Sequence, residues 1–178
     1  MKVIMVTGFK HTGKTTLVER FITTMAGKGV RISGILARGS WKNGLRDGFY
    51  LVDLSDGSSV PLAQRLKHPD PNSRVIFEFF EAGMAAGARA LAPDRNRASD
   101  IVIVDEVGKL EAVGEGWAFR IRELLELRRP IYIWVVRTDF LGKIRKSFDL
   151  QSPTVVSIEE SDALKHLQVV VGEALGKV

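Results

Sequence analysis

The chain has 178 residues, 45% of them hydrophobic, no cysteine and a formal net charge of +5. That length can bury a core without covalent staples, and the missing thiols exclude disulfides and thiolate metal sites. No apolar run approaches the roughly 18 residues that span a bilayer as a helix, so the expectation is one cytoplasmic domain over residues 1–178, away from any membrane.

The first element is a short apolar strand, Val3 to Val6, and a glycine-rich segment follows it at once. Gly8-Phe9-Lys10-His11-Thr12-Gly13-Lys14-Thr15 has the P-loop spacing: Gly, four free positions, Gly-Lys and Thr. A polyphosphate needs several backbone N–H donors curled around it, and glycines let the chain approach and turn without a Cβ clash. The expected phosphate cradle is therefore Gly8, Phe9, Lys10, His11, Thr12, Gly13, Lys14, Thr15 and Thr16. Lys14 supplies a mobile positive charge for the β- and γ-phosphates, and the Thr15 hydroxyl is a ligand for Mg²⁺. The amphipathic run from Thr15 to Ile22 predicts a helix whose N-terminal dipole faces the same anion. The expected ligand is a nucleoside triphosphate.

That helix should close near Gly27-Lys28-Gly29, and Val30 to Ala37 reads as a second strand, parallel to the first. Arg38 to Gly48 is polar with three glycines and reads as a loop leaving the carboxyl end of that strand. Trp41 within it could stack on a base, but packing on the loop's own base is the expected role. Two strand-like runs, Gly48 to Leu54 and Ser58 to Leu62, flank the turn signal Asp56-Gly57 and predict an antiparallel hairpin insertion. Leu66 to Ser73, which holds His68-Pro69-Asp70-Pro71, reads as an extended or turned connection, Arg74 to Glu78 as a short strand, and the Ala/Gly-rich run to Ala92 as a helix ended by Pro93.

Ile101-Val102-Ile103-Val104 predicts a buried strand, and Asp105-Glu106 stands at its carboxyl tip. Asp105 is the expected second Mg²⁺ ligand, in the Walker B sense. Glu106 is placed to align and deprotonate an attacking water. Asp105 to Gly108 also fits the Asp-x-x-Gly pattern of GTP switch proteins. The next strand, however, ends Val136-Arg137-Thr138-Asp139 and lacks the Asn/Thr-Lys-x-Asp that reads guanine, so guanine selectivity has no support in the sequence.

Beyond that point helices are expected over Trp117–Leu127, Phe140–Phe148 and Asp162–Leu175, with strands at Ile131–Val136 and Thr154–Val156. The alternation of strands and helices gives an α/β class: a mainly parallel sheet covered on both faces, a three-layer αβα P-loop NTPase. Arg137, at the tip of a buried strand, is a candidate to stabilise charge on the γ-phosphate, with a pairing to Asp139 as the plainer alternative. The late cations Arg120, Arg122, Arg128, Arg129, Lys143, Arg145 and Lys146 are not interleaved with aromatics in a repeat. They read as solvated helix faces rather than a nucleic-acid surface.

Gly8 to Thr16 together with Asp105-Glu106-Val107-Gly108-Lys109-Leu110-Glu111 resembles the THEP-type, or cancer-related, nucleoside-triphosphatases. Their Walker B segment runs Asp-Glu-Ile/Val-Gly-Lys-Met/Leu-Glu. Arg46-Asp47-Gly48-Phe49 is similar to the family's Arg-x-Gly-Phe stretch, which extends the resemblance over most of the chain. The resemblance implies a RecA-like arrangement and Mg²⁺-dependent hydrolysis of several nucleoside triphosphates, with Lys14, Thr15, Asp105 and Glu106 in the roles above. For Lys109 and Glu111 a salt link is the expectation. The loop interior Phe9 to Thr12 lacks the Gly or Pro that many of these enzymes carry and is closer to MobB-type adaptors, GTP-binding proteins of molybdenum-cofactor biosynthesis.

The leading expectation is thus a hydrolase that turns nucleoside triphosphate into diphosphate and phosphate. A nucleotide-binding adaptor whose slow hydrolysis serves a partner protein is the alternative. A nucleoside or nucleotide kinase ranks last, because no arginine-rich lid follows a helix in the expected way.

Overall fold

A computed structural model describes residues 2–68 and 76–176. The strands are β1 (Lys2–Gly8), β2 (Ile32–Lys42), β3 (Leu45–Asp53), β4 (Ser59–Arg65), β5 (Phe77–Phe79), β6 (Ile101–Asp105), β7 (Ile131–Arg137) and β8 (Thr154–Ser157). The helices are α1 (Lys14–Ala26), α2 (Glu81–Ala90), α3 (Pro93–Asn96), α4 (Lys109–Ala112), α5 (Ala118–Leu125), α6 (Leu141–Ser147) and α7 (Ala163–Ala174). All strands join one sheet in the order β5-β4-β3-β2-β6-β7-β1-β8. The pairings of β2, β6, β7, β1 and β8 with one another are parallel, and β2 to β5 form an antiparallel wing.

The central strands are apolar on both faces because helices cover both. Val102, Val104, Tyr132, Trp134, Val3 and Met5 point to a layer holding α2, α5 and α6. Ile101, Ile103, Ile133, Val135, Ile4 and Val6 point to α1 and α7, where Leu17, Val18, Phe21, Leu167 and Val171 meet them. Full burial of each such side chain is worth roughly 1.5–3 kcal/mol, so strands apolar on both sides are driven to the middle of three layers. β1 and β2 run parallel as expected, but β6 and β7 lie between them. β2 takes β3 as an antiparallel partner, so it stands where the parallel core meets the wing.

The segment Arg38 to Gly48 is not a loop. β2 runs to Lys42, turns at Asn43-Gly44, and returns as β3 from Leu45. Asn43 and Gly44 both have positive φ, 50° and 74°, as a two-residue hairpin turn requires. The other two glycines are there for packing. A Cβ on Gly39 would stand 2.7 Å from Arg46 Cζ, and one on Gly48 would stand 2.3 Å from the Ala63 carbonyl oxygen.

Elsewhere the differences are small. Pro93 ends one helical stretch and opens the next, where its fixed φ suits the first turn. The basic helix before Phe148 begins with a 3₁₀ turn, Thr138–Phe140. Of the strand expected at Arg74 to Glu78, Arg74 and Val75 lie outside the described residues and β5 covers Phe77–Phe79; Pro69 to Ser73 of the connection also lie outside. Among the described residues no helix is long and apolar enough to cross a membrane.

Candidate active site

The parallel strands β1, β6 and β7 end at one edge of the sheet, and the loop between β1 and α1 curls over it. Gly8 is buried where a Cβ would come within 2.4 Å of Ile158 and 2.7 Å of the Thr12 hydroxyl. Gly13 adopts φ 92°, ψ 19° and hands the chain to α1 in a left-handed conformation suited to glycine. The loop tip, Phe9 to Thr12, is exposed, as is Thr16 on the first turn of α1. The Thr12 hydroxyl donates to the Phe9 carbonyl at 2.9 Å.

Lys14 is almost wholly buried, and its Nζ donates to the same Phe9 carbonyl at 2.6 Å. Burial lowers its pKa, while the charges of Glu106 and Asp105 work against that shift. The lysine therefore lies between the loop and the two carboxylates, with the N-terminus of α1 behind it.

Asp105 is 2% exposed at the tip of β6, and its Oδ2 has no hydrogen-bond partner among the described residues. Burial raises its carboxyl to about 7; the Thr15 hydroxyl and the Ala37 amide pull the other way. A buried carboxylate oxygen without a donor is costly unless a positive charge completes it. Together with the Thr15 hydroxyl it offers a hard, all-oxygen donor set, which suits Mg²⁺. Glu106, half-buried, is raised chiefly by burial, with Lys14 and Arg137 opposing.

Glu111 makes no salt link with Lys109, which is exposed. It is 4% exposed and caps backbone instead, accepting from the Gly108 amide at 2.9 Å and the Trp117 amide at 3.1 Å. The reason is spacing: Lys109 opens a short helix on its solvent side, whereas Glu111 turns back toward the loop that follows β6. It braces the turn that carries Glu106.

Arg137 lies directly opposite Gly8 in the β1–β7 register. Its guanidinium is held by Asp139 through two contacts, Nε to Oδ1 at 3.0 Å and Nη2 to Oδ2. Its charge still reaches Lys14 and Glu106. Trp41 stands beside His11 of the loop, ring centroids 6.3 Å apart, and is 59% exposed. The Arg46 guanidinium lies over the Trp41 ring at 4.7 Å. Burial, then the nearby Arg46, Lys10 and Lys14, lower the pKa of His11 and favour its neutral form.

The residues expected from sequence thus converge: Lys14, Thr15, Asp105, Glu106 and Arg137 meet at one edge. Arg46 also reaches this edge and was assigned no role from the sequence. The available signal was its place in an Arg-x-Gly-Phe stretch directly after an Asn-Gly turn.

Comparison with known proteins bears on the family and the fold. A family model described as NTPase matches residues 3–167. The chain is 32% identical over 152 residues to the nucleoside-triphosphatase THEP1 of Methanosarcina acetivorans, covering 83% of this chain and 85% of that protein. Its fold is similar to the solution structure of a human cancer-related nucleoside triphosphatase (TM-score 0.74, 20% identity, all of both chains). It is also similar to the crystal structure of THEP1 from Aquifex aeolicus (TM-score 0.69, 16% identity, 95% of this chain and 98% of that one).

Proposed function

This chain belongs to the NTPase family, and from that premise we infer that it hydrolyses nucleoside triphosphates to diphosphate and phosphate. The observation that carries the reading is Asp105: a buried carboxylate with an unpartnered oxygen, set beside the Thr15 hydroxyl and behind Lys14. Thr15 and Asp105 would hold Mg²⁺, which when bound neutralises phosphate charge. The backbone of Gly8 to Thr16 cradles the phosphates, and Lys14 leaves the Phe9 carbonyl to reach the β- and γ-oxygens. Glu106 accepts a hydrogen bond from a water and takes its proton as the water oxygen bonds to the γ-phosphorus. The bond from that phosphorus to the bridging oxygen breaks, and its electron pair stays on the diphosphate.

Arg137 would steady the equatorial charge after exchanging Asp139 for phosphate oxygens. Base selectivity is broad in this reading, since the segment after β7 carries no guanine-reading motif. The setting is the cytoplasm, where nucleotide and Mg²⁺ are abundant. One observation favours a second reading, an adaptor with slow turnover: the guanidinium of Arg137 is already engaged by Asp139.

Phosphate release from a panel of nucleoside triphosphates, with Mg²⁺ and with chelator, tests the proposal. Multiple turnover that needs Mg²⁺ and is lost in Asp105→Asn is the expected result. Absence of turnover with every nucleotide would leave the adaptor.

A further inference from the structure

β2 overshoots the sheet. Its pairing with β6 ends at Ile35 opposite Val104, yet the strand continues to Lys42, roughly 20 Å farther at strand rise. The β2–β3 hairpin therefore projects past the tip of β6, over the edge where Asp105 and Glu106 lie. Its inclination is shown by the contact of Trp41 with His11 of the phosphate loop.

On this arm Arg46 is held in an unusual way. Its guanidinium lies 4.7 Å from the Trp41 ring centre and 5.1 Å from that of Phe49, and it fills the space that the bare Cα of Gly39 leaves open. Its Nε is buried and has no hydrogen-bond partner among the described residues. Arg137 is neutralised by Asp139, whereas Arg46 has no ion pair among the described residues. A buried Nε–H without an acceptor is expensive for the fold. Both rings lie against the guanidinium, and neither offers its Nε an acceptor. Asp105 and Glu106 are near enough for their charges to be felt at Arg46, and the charge of Arg46 is felt at His11. A planar, multi-donor cation held close to this edge matches a tetrahedral anion carrying several oxygens.

We propose that Arg46 is a catalytic residue, an arginine that the β2–β3 hairpin delivers in cis onto the terminal phosphate of the bound nucleotide, with Trp41 and Phe49 as its clamp. The hairpin then acts as a built-in sensor of the γ-phosphate: a triphosphate engages Arg46 and a diphosphate does not reach it. This role rests on the hydrolase reading only for its effect on rate. Its effect on binding holds in the adaptor reading as well.

The test uses the full chain with Arg46→Ala and Arg46→Lys, each shown to melt within a few degrees of the parent. Affinities for a non-hydrolysable triphosphate and for the matching diphosphate are measured by calorimetry in Mg²⁺. Arg46→Ala should lose on the order of 10-fold or more for the triphosphate and nothing for the diphosphate. Arg46→Lys should recover part of that loss. If the parent hydrolyses triphosphates, kcat should fall by on the order of 10³-fold or more, the scale on which such arginines act. Equal losses for both nucleotides would make Arg46 a structural support of the hairpin and overturn the proposal. So would parent-like affinity for both in Arg46→Ala. Failure of the hydrolase reading shows separately, as a parent without turnover whose triphosphate preference still depends on Arg46.

Discussion

Glu111 accepts the amide of Gly108 at 2.9 Å and thereby closes the turn that follows the Asp105-Glu106 pair. The same carboxylate takes the Trp117 amide, so one buried side chain satisfies donors on both sides of α4. Gly116 passes close enough that a Cβ there would lie 2.3 Å from Glu111 Oε1. The position admits an acceptor of this reach and little else.

Glu111→Ala should therefore leave two buried N–H groups without partners, at about 1–3 kcal/mol each. Urea unfolding should show the loss as a lower midpoint with an unchanged slope. Glu111→Gln keeps one acceptor oxygen and should lose less. A midpoint equal to the parent's in Glu111→Ala would show that water replaces the carboxylate.

Lys14→Ala removes the cation that lies between the phosphate loop and the two carboxylates. Charge-assisted contacts of this kind contribute roughly 1.5–3 kcal/mol, so triphosphate affinity should fall by about one to two orders of magnitude. Diphosphate affinity should fall too, because Lys14 faces the β-phosphate as well, and this separates it from Arg46→Ala. Parent-like calorimetric affinity in the folded variant would remove the phosphate-site assignment.

Arg137 and Asp139 form a pair that can be taken apart from either side. Arg137→Ala should lower kcat far more than affinity, since equatorial charge needs holding mainly in the transition state. Asp139→Asn should release the guanidinium and leave kcat at or above the parent value. Steady-state phosphate release reads both; unchanged turnover in Arg137→Ala would leave the arginine a surface partner of Asp139.

Glu106→Gln separates hydrolase from adaptor. It keeps the shape and one acceptor oxygen but removes the charge that aligns and deprotonates water. Phosphate release should drop by on the order of 10²–10⁴-fold, while Mg-nucleotide affinity stays near the parent's because Lys14, Thr15 and Asp105 are untouched. A parent that barely turns over, with a Gln variant no slower, would favour the adaptor.

What the sequence determined by itself is the part that covalent spacing encodes. Gly8, Gly13, Lys14 and Thr15 lie within one short loop, and Asp105 and Glu106 follow four apolar residues directly. Local geometry then delivers each to a strand tip or a helix start, whatever the rest of the chain does. Buried strands with helices between them were legible for the same reason: strands apolar on both faces require cover on both. The β2–β3 hairpin was not legible, unlike the β3–β4 one, because Gly39 and Gly48 serve close packing and only Asn43-Gly44 serves the turn. Glycine composition alone does not distinguish those uses.

Charge states and partners were settled only by tertiary structure. Whether Asp105 is an ordinary carboxylate or one raised to about 7 depends on the layers that bury it. Glu111 turned from a salt link to backbone amides because the chain folded back over it, which spacing to Lys109 does not reveal. Arg46 and Asp105 are far apart in the sequence, and they approach only because β2 pairs with β6 and overshoots it. Electrostatics acts through space and through the dielectric of the packed core, so it is readable only once the strands have taken their order.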